Sequence, residues 1–206
     1  MQNEKCKIEN VLDVGTGTGL LSLMLAQKLS ASFDSVEIDE ASYTQGKENF
    51  ETSPWKNSLN IHHSSIQDFN NSTSQLYDLI ISNPPFFNQS LQSLDKQKNL
   101  AKHANELSFQ ELAQIVIARL NDAGKFYILL PYHEFRTFKD IAHTNSLILS
   151  HEVNISQTEK HNYFRTIGVF SKIPSDKINT TPISIKVNNE YSPDFVELLK
   201  DYYLYL

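Results

Sequence analysis

Short apolar runs alternate with longer amphipathic stretches along most of the chain. Apolar runs of about four to eight residues predict buried strands, and amphipathic stretches of helical period predict helices packed on a sheet. Strands are predicted at 8–14, 59–62, 76–81 and 126–130, and residues 36–38 are predicted to end a strand that follows the first. Two or three more strands are predicted from 148–155, 164–170 and 183–187. This order predicts an α/β fold with a mostly parallel, seven-stranded sheet and helices on both faces.

The polar positions between these runs indicate where helices begin and end. Helices are predicted at 18–29, at 41 to about 51, at 108–120, after the strand at 126–130, and from Ser192 onward. Ser108 and Glu111 have the spacing of a capping box, and Asn121–Gly124 predicts a turn after that helix. The polar segment 88–105 is interpreted as a loop. We find no internal repeat or linker, so residues 1–206 are predicted to form a single domain.

Composition excludes several classes of protein. Hydrophobic residues make up 40% of the 206 positions, with 12 Phe and 9 Tyr, which excludes intrinsic disorder. Polar residues interrupt every apolar run before the roughly 18 residues of a membrane span. The first six residues contain no apolar run, so we expect no secretory signal. The single cysteine, Cys6, excludes an internal disulfide, so we expect a cytoplasmic protein.

The net charge and the positions of the histidines limit the classes of ligand that this chain is expected to bind. The formal net charge of -6 argues against a broad nucleic-acid-binding surface and leaves room for a local basic patch. His62 and His63 are adjacent on a predicted strand, so their side chains face opposite ways, and no carboxylate cluster accompanies them. We therefore predict no metal site.

The first strand runs into three alternating glycines, Gly15, Gly17 and Gly19, followed by a helix. Glycines at such a turn let a ligand lie against the backbone and its N–H groups. A dinucleotide-binding loop would place its third glycine at position 20, where this chain has Leu20. Asp13 at the strand end is also unfavourable for a pyrophosphate, whereas it suits a ligand with an ammonium and a sulfonium group.

Glu37 follows at the end of the second strand, twenty residues after Gly17. A carboxylate at this place can accept hydrogen bonds from both hydroxyl groups of a ribose. The alternative is a solvated charge beside Asp39 and Glu40. Together with the glycine loop, Glu37 indicates binding of S-adenosylmethionine.

The fourth strand ends in Asn83-Pro84-Pro85-Phe86, on the same edge of the sheet as the glycine loop. The two prolines stiffen the backbone around Asn83. The Asn83 side-chain carbonyl and the following backbone carbonyl can then accept hydrogen bonds from both N–H groups of one amino group. These hydrogen bonds would orient the nitrogen lone pair toward a methyl donor. Phe86 offers a face on which a planar base can stack.

These motifs resemble class I adenosylmethionine-dependent amino-methyltransferases with an N-P-P-[FY] motif. The resemblance extends from about Val11 to the C-terminus and rests on the segments 12–21, 53–55, 78–86, 102–103 and 191–193. It is closest to members that methylate N6 of adenine 37 in tRNA1(Val). It implies a Rossmann-like fold, S-adenosylmethionine as cofactor, and an adenine of a tRNA anticodon loop as acceptor.

The resemblance also implies roles for individual residues. The cofactor would be bound by Asp13, Gly15, Thr16, Gly17, Gly19, Glu37, Ser65, Ile66 and Asn83. Catalysis would rest on Asn83, Pro84 and Phe86. Ser65 stands where the family usually has an acidic residue for the adenine amine of the cofactor, with Asp68 three residues later. Because the first strand begins so near Met1, we also expect the family's usual N-terminal segment to be absent.

A basic patch is the candidate RNA contact. Phe86 and the basic residues Lys96, Lys98, Lys102, His103 and Arg165 are predicted to contact the substrate, the basic ones through phosphates near the target base. The alternative interpretation of these charges is a solvated loop.

Two other functions share parts of this pattern. A protein glutamine N5-methyltransferase uses the same motif and amine chemistry, although its relatives usually end the motif in Tyr and carry a helical N-terminal domain. A protein that binds the cofactor without catalysis is the other alternative. In each case we expect a monomer that needs no membrane.

Overall fold

A computed structural model describes residues 7–84 and 107–203, which form one mixed sheet with helices on both faces. The strands are β1 (Asn10–Val14), β2 (Ser32–Glu37), β3 (Leu59–His63), β4 (Tyr77–Ser82), β5 (Leu120–Pro131), β6 (Ile148–Thr158), β7 (Tyr163–Ser171), β8 (Asn179–Val187) and β9 (Glu190–Tyr191). The helices are α1 (Leu20–Ala26), α2 (Glu40–Thr52), α3 (Ile66–Ser72), α4 (Phe109–Arg119), α5 (Tyr132–Thr144) and α6 (Pro193–Leu199).

The strands are arranged in the order β3-β2-β1-β4-β5-β7-β6-β8-β9. The first five of these strands pair in parallel, and β7 is inserted antiparallel between β5 and β6. This confirms the predicted α/β fold with a mostly parallel sheet. The carboxyl ends of β1 to β5 therefore meet at one edge, which we call the ligand edge.

The prediction of seven strands is wrong, because the described sheet has nine. The strand predicted at 183–187 is present as β8, which adds in parallel to β6, whereas β9 was not predicted. Asn188 and Asn189 then adopt positive φ angles of 53° and 68°, as a two-residue hairpin turn requires, and lead into β9. Long-range pairing of this kind leaves no clear signature in the hydrophobic pattern.

The predicted turn at Asn121–Gly124 is also wrong, because these residues lie inside β5. The Asn121 amide donates a hydrogen bond to Asp78, and the pairing of β4 with β5 shifts register between Tyr77 and Leu79. The register shift thus allows Asn121–Gly124, which prefer turns, to lie within β5. By contrast, the capping box of Ser108 and Glu111 is present at the start of α4, and Ser192 caps α6 as predicted.

Two apolar clusters cover the two faces of the sheet. The larger packs α3, α4 and α5 against one face, with fully buried rings at Tyr77, Phe126 and Phe138. The smaller packs α1 and α2 against the other face. His62 lies against Phe69 of α3, while His63 stacks on Tyr43 of α2, so the two histidines face opposite ways as predicted.

No helix within residues 7–84 and 107–203 is both long enough and apolar enough to cross a membrane.

Candidate functional site

The ligand edge brings most of the predicted site residues together. Val14 at the end of β1 pairs with Val36 of β2 on one side and with Ser82 of β4 on the other. The Ser82 hydroxyl also donates a 2.9 Å hydrogen bond to the Val14 carbonyl. Gly15, Glu37 and Asn83 each follow directly after one of these three residues.

The three glycines of the loop have positive φ angles of 72°, 59° and 83°, which residues with a Cβ rarely adopt. A Cβ on Gly15 or Gly17 would meet no other atom within 4 Å, so both face open space. A Cβ on Gly19 would instead overlap the ring of Phe50 in α2. Gly15 and Gly17 thus leave room for a ligand, whereas Gly19 allows α2 to pack closely.

The backbone N–H groups of this loop are already engaged. Those of Gly15 and Thr16 donate to the Val36 carbonyl at 3.0 and 3.1 Å, and that of Gly17 donates to Glu37 at 2.8 Å. The Gly19 N–H donates to the Thr16 carbonyl at 3.1 Å. A ligand would therefore contact the surface of the loop more than its N–H groups, an arrangement unsuited to a pyrophosphate.

Asp13 is completely buried beneath the loop. Its Oδ2 accepts hydrogen bonds from the hydroxyls of Thr16 (2.7 Å) and Ser22 (2.8 Å), while Oδ1 has no partner among the described residues. Burial raises the pKa of Asp13 to about 6, the two hydroxyl donors oppose this rise, and repulsion from Glu37 adds to it. The unpartnered oxygen leaves this carboxylate short of one donor.

Glu37 is buried at the end of β2, with 8% of its surface exposed. Its Oε2 accepts the Gly17 N–H, and its Oε1 accepts the N–H groups of Ile38 and Asp39 at 2.9 and 2.8 Å. A carboxylate has about four acceptor positions, so this one retains roughly one for a ligand. The solvated-charge interpretation of Glu37 is therefore wrong, because backbone donors hold its side chain in place.

The segment after β3 is organised differently from the prediction for Ser65 and Ile66. The Ser65 hydroxyl caps α3, accepting the Asp68 N–H at 3.0 Å and donating to the Asp68 carboxylate at 2.7 Å. Ile66 is buried in the larger apolar cluster, so its side chain is not available to a ligand. Asp68 is exposed, and Ser65 holds its carboxylate near this edge.

Asn83 lies directly after β4, exposed at the ligand edge, and Pro84 behind it is buried. A stiff backbone thus presents an amide to solvent, as the motif predicts. The rest of the motif, Pro85 and Phe86, lies outside the described residues, as do Lys96, Lys98, Lys102 and His103. Their predicted roles remain predictions.

Arg165 lies at the ligand edge as well. It pairs with Pro131 at the end of β5 and with Ile155 of β6, and its guanidinium lies 6.0 Å from the ring of Phe164. Arg165 is thus two strands away from Asn83, in a position suited to the predicted contact with phosphates.

The sequence interpretation missed a polar network beside Arg165. Arg136 of α5 donates to the buried Glu152 (3.0 Å) and to the hydroxyl of Tyr132 (2.9 Å), whose ring lies 5.7 Å from that of Tyr163. The sequence signal for this network was Pro131-Tyr132 directly after a predicted strand. Its partners Glu152 and Tyr163 lie on β6 and β7, so the pair alone did not indicate them. Among the described residues, no group of acidic, histidine or cysteine side chains is arranged to bind a metal.

A Rossmann-like sheet with a glycine loop after β1, an acid at the end of β2 and an Asn-Pro pair after β4 defines the methyltransferase class of fold. Residues 1–145 match the methyltransferase small domain family. The chain therefore belongs to the methyltransferase small domain family.

Curated relatives support this assignment over nearly the whole chain. A protein of Trichodesmium erythraeum is 36% identical over 201 residues, which is 95% of this chain and 83% of that protein. One of Pseudoalteromonas translucida is 38% identical over 198 residues, with the same coverage of both chains. Both are named tRNA1(Val) (adenine(37)-N6)-methyltransferase.

Solved structures support the fold. A predicted O-methyltransferase from Agrobacterium tumefaciens superposes with a TM-score of 0.68 at 12% identity, covering 93% of this chain and 88% of that one. A TehB-like SAM-dependent methyltransferase from Corynebacterium glutamicum superposes with a TM-score of 0.56 at 15% identity, covering 81% and 82%. At these identities the likeness concerns the fold alone.

Proposed function

We propose that this protein transfers a methyl group from S-adenosylmethionine to N6 of an adenine in a tRNA anticodon loop, adenine 37 of tRNA1(Val). The observation that carries the proposal is the position of Asn83. It is exposed directly after β4, next to a glycine loop that leaves open space beside Gly15 and Gly17. The names of the relatives supply the substrate.

The residues at the ligand edge fit this cofactor. The unpartnered Oδ1 of Asp13 suits a cationic amino group, which would also favour the ionised form of this carboxyl. The remaining acceptor position of Glu37 suits a ribose hydroxyl. Asp68, held by Ser65, is a better acceptor for the adenine amine than the Ser65 hydroxyl, because it carries the charge.

When bound, the cofactor supplies an electrophilic methyl group on its sulfonium. The Asn83 side-chain carbonyl and the backbone carbonyl after it accept hydrogen bonds from the two N–H groups of the adenine amine. These bonds make the nitrogen more tetrahedral and orient its lone pair. The nitrogen forms its new bond to carbon as the sulfur–carbon bond breaks, and then loses a proton to water without a strong base.

An anticodon loop is a suitable target for a chain with a formal net charge of -6. Its bases are already partly unstacked, so extruding one requires less free energy than opening a duplex. A short basic region including Arg165 is enough to contact the nearby phosphates. A bacterial tRNA is met in the cytoplasm, the compartment that the single cysteine predicts.

The proposal is tested by incubating the protein with labelled S-adenosylmethionine and, in parallel, unmodified tRNA, double-stranded DNA or a release-factor protein. We expect label in tRNA, recovered as N6-methyladenosine after digestion to nucleosides. Label in the release factor alone would favour the glutamine N5-methyltransferase. Cofactor binding with no label in any acceptor would favour the non-catalytic alternative.

A further inference from the structure

We propose that Tyr132 and Tyr163, held by Arg136, form a stacking platform for an unpaired RNA base next to the target adenine. The inference rests on the proposed function, because it assumes an RNA loop at the ligand edge. It assigns a binding role to three residues that neither the motif nor the cofactor site includes.

The platform is an aromatic pair on adjacent elements. The rings of Tyr132, the first residue of α5, and Tyr163, the first residue of β7, lie 5.7 Å apart at an angle of 39°. The guanidinium of Arg136 lies 4.7 Å from the centre of the Tyr132 ring. Tyr163 is 39% exposed and the Arg136 side chain is 42% exposed, so aromatic and guanidinium planes are open to solvent.

A buried network holds this surface in place. Thr166 donates to Asn154 at 2.7 Å, and Asn154 donates to Glu152 at 2.9 Å. Glu152 in turn accepts from Arg136, which also donates to the Tyr132 hydroxyl. The chain of hydrogen bonds runs from the interior of the sheet to its edge. The two hydrogen bonds of Arg136 restrain its side chain, which leaves less side-chain entropy to lose on binding.

The distance from Asn83 suits a second nucleotide of the same loop. Ser82 pairs with Ile128 of β5, and Tyr132 follows four residues later. With strands about 4.8 Å apart and a rise of about 3.3 Å per residue, Tyr132 lies on the order of 10 Å from Asn83. At this distance Tyr132 cannot contact the target adenine, whose amino group donates hydrogen bonds to Asn83, but it can contact an adjacent base. Arg165, two residues after Tyr163, lies where the intervening phosphate would pass.

Stacking is the interaction that this geometry supplies. Unstacked bases of RNA loops are bound on aromatic rings and on guanidinium planes, largely independently of base identity. Buried Glu152 pairs with both Arg136 and Lys139, so it offsets part of their positive charge. An exposed aromatic surface with Arg165 two residues beyond Tyr163 thus favours a single-stranded base over a duplex.

The test uses an RNA hairpin with the tRNA1(Val) anticodon loop and 2-aminopurine beside the target adenine. Tyr163→Ala removes half of the platform, and Tyr163→Phe keeps the ring. Tyr132→Phe keeps the ring but loses the hydrogen bond to Arg136. Tyr203→Ala is the matched control, since Tyr203 is 57% exposed and follows Asp201, which pairs with Lys28 beyond the end of α1. Melting curves and cofactor affinity are measured for every variant.

We expect Tyr163→Ala to raise KM for the hairpin roughly tenfold to a hundredfold with little change in kcat, the range for loss of one stacked base. The change in 2-aminopurine fluorescence on binding should also disappear. Tyr163→Phe and Tyr203→Ala should match wild type, and Tyr132→Phe should lie between. Unchanged KM and fluorescence for Tyr163→Ala, with a wild type that methylates the hairpin, would overturn the platform alone. A wild type that neither binds nor methylates RNA would overturn the proposed function and the platform with it.

Discussion

Two buried carboxylates, Asp13 under the glycine loop and Glu152 on β6, lie on opposite sides of Asn83 in the sheet. Glu152 is neutralised within the protein by Arg136 at 3.0 Å and Lys139 at 3.7 Å. Asp13 receives only hydroxyl donors on one oxygen, and its other oxygen has no partner among the described residues. Buried charges normally require a partner. Glu152 is therefore satisfied within the protein, while we propose that Asp13 is completed by a ligand.

This difference between Asp13 and Glu152 predicts that a substitution at Asn83, which lies between them, affects the methylation rate and not cofactor binding. Asn83→Ala should lower the single-turnover methylation rate by about 10²–10³, as loss of one preorganised hydrogen-bonding group does at other catalytic sites. Its cofactor affinity, measured by calorimetry, should stay near that of wild type. Asn57→Ala, an exposed position before β3, is the control. Lost cofactor binding with an intact rate at saturation would contradict the assignment.

A change on the cofactor side should have the next largest effect. Glu37→Ala should weaken S-adenosylmethionine binding by roughly 1.5–3 kcal/mol, the contribution of hydrogen bonds to a charged group. Glu37→Gln, which keeps one carbonyl acceptor, should fall between. Calorimetry with Glu48→Ala, an exposed position in α2, provides the reference. Equal affinity of wild type and Glu37→Ala would remove Glu37 from the site.

A change on the Glu152 side should affect stability instead. Arg136→Met should lower the free energy of unfolding by roughly 1–3 kcal/mol, because it removes a donor from a buried carboxylate. Glu152→Gln, which removes the buried charge itself, should lower it less, and neither should alter cofactor affinity. Urea denaturation measures both. A larger loss for Glu152→Gln than for Arg136→Met would contradict the view that Glu152 is neutralised by its partners.

The smallest expected effect is a pH dependence that belongs to Asp13 alone. Its pKa of about 6 lies above the ordinary 3.8, so its contribution to stability is present below pH 4 and lost as the pH rises through 6. A cationic ligand prefers the ionised form, so cofactor affinity should increase up to about tenfold from pH 5 to pH 7. Calorimetry at both values should show this in wild type and a flatter profile in Asp13→Asn. An identical profile in the variant would assign the titration to another group.

Local signals were predictable from the sequence. The capping box of Ser108 and Glu111 and the positive φ of Gly15 depend on neighbouring residues only, and the structure has both. The positions of Glu37 and Asn83 at one edge also followed, because parallel strands place their carboxyl ends together.

Contacts that depend on pairing between distant strands were not predictable. The parallel addition of β8 to β6 and the inclusion of Asn121 in β5 follow from register, which the apolar pattern does not specify. The same holds for Ser22 as a partner of Asp13 and for Glu152 as a partner of Arg136. Each joins residues whose distance along the chain says nothing about their contact.

The hydrogen bond from Ser82 to the Val14 carbonyl fastens the ends of two adjacent strands to each other. The glycine loop and Asn83, which we propose bind the methyl donor and the acceptor, both begin one residue beyond this bond. In the proposed reaction, this bond would limit changes in the separation of the two reacting groups. Such fixed proximity acts as a very high effective concentration of one reactant near the other. Much of the rate enhancement can thus reside in the sheet itself.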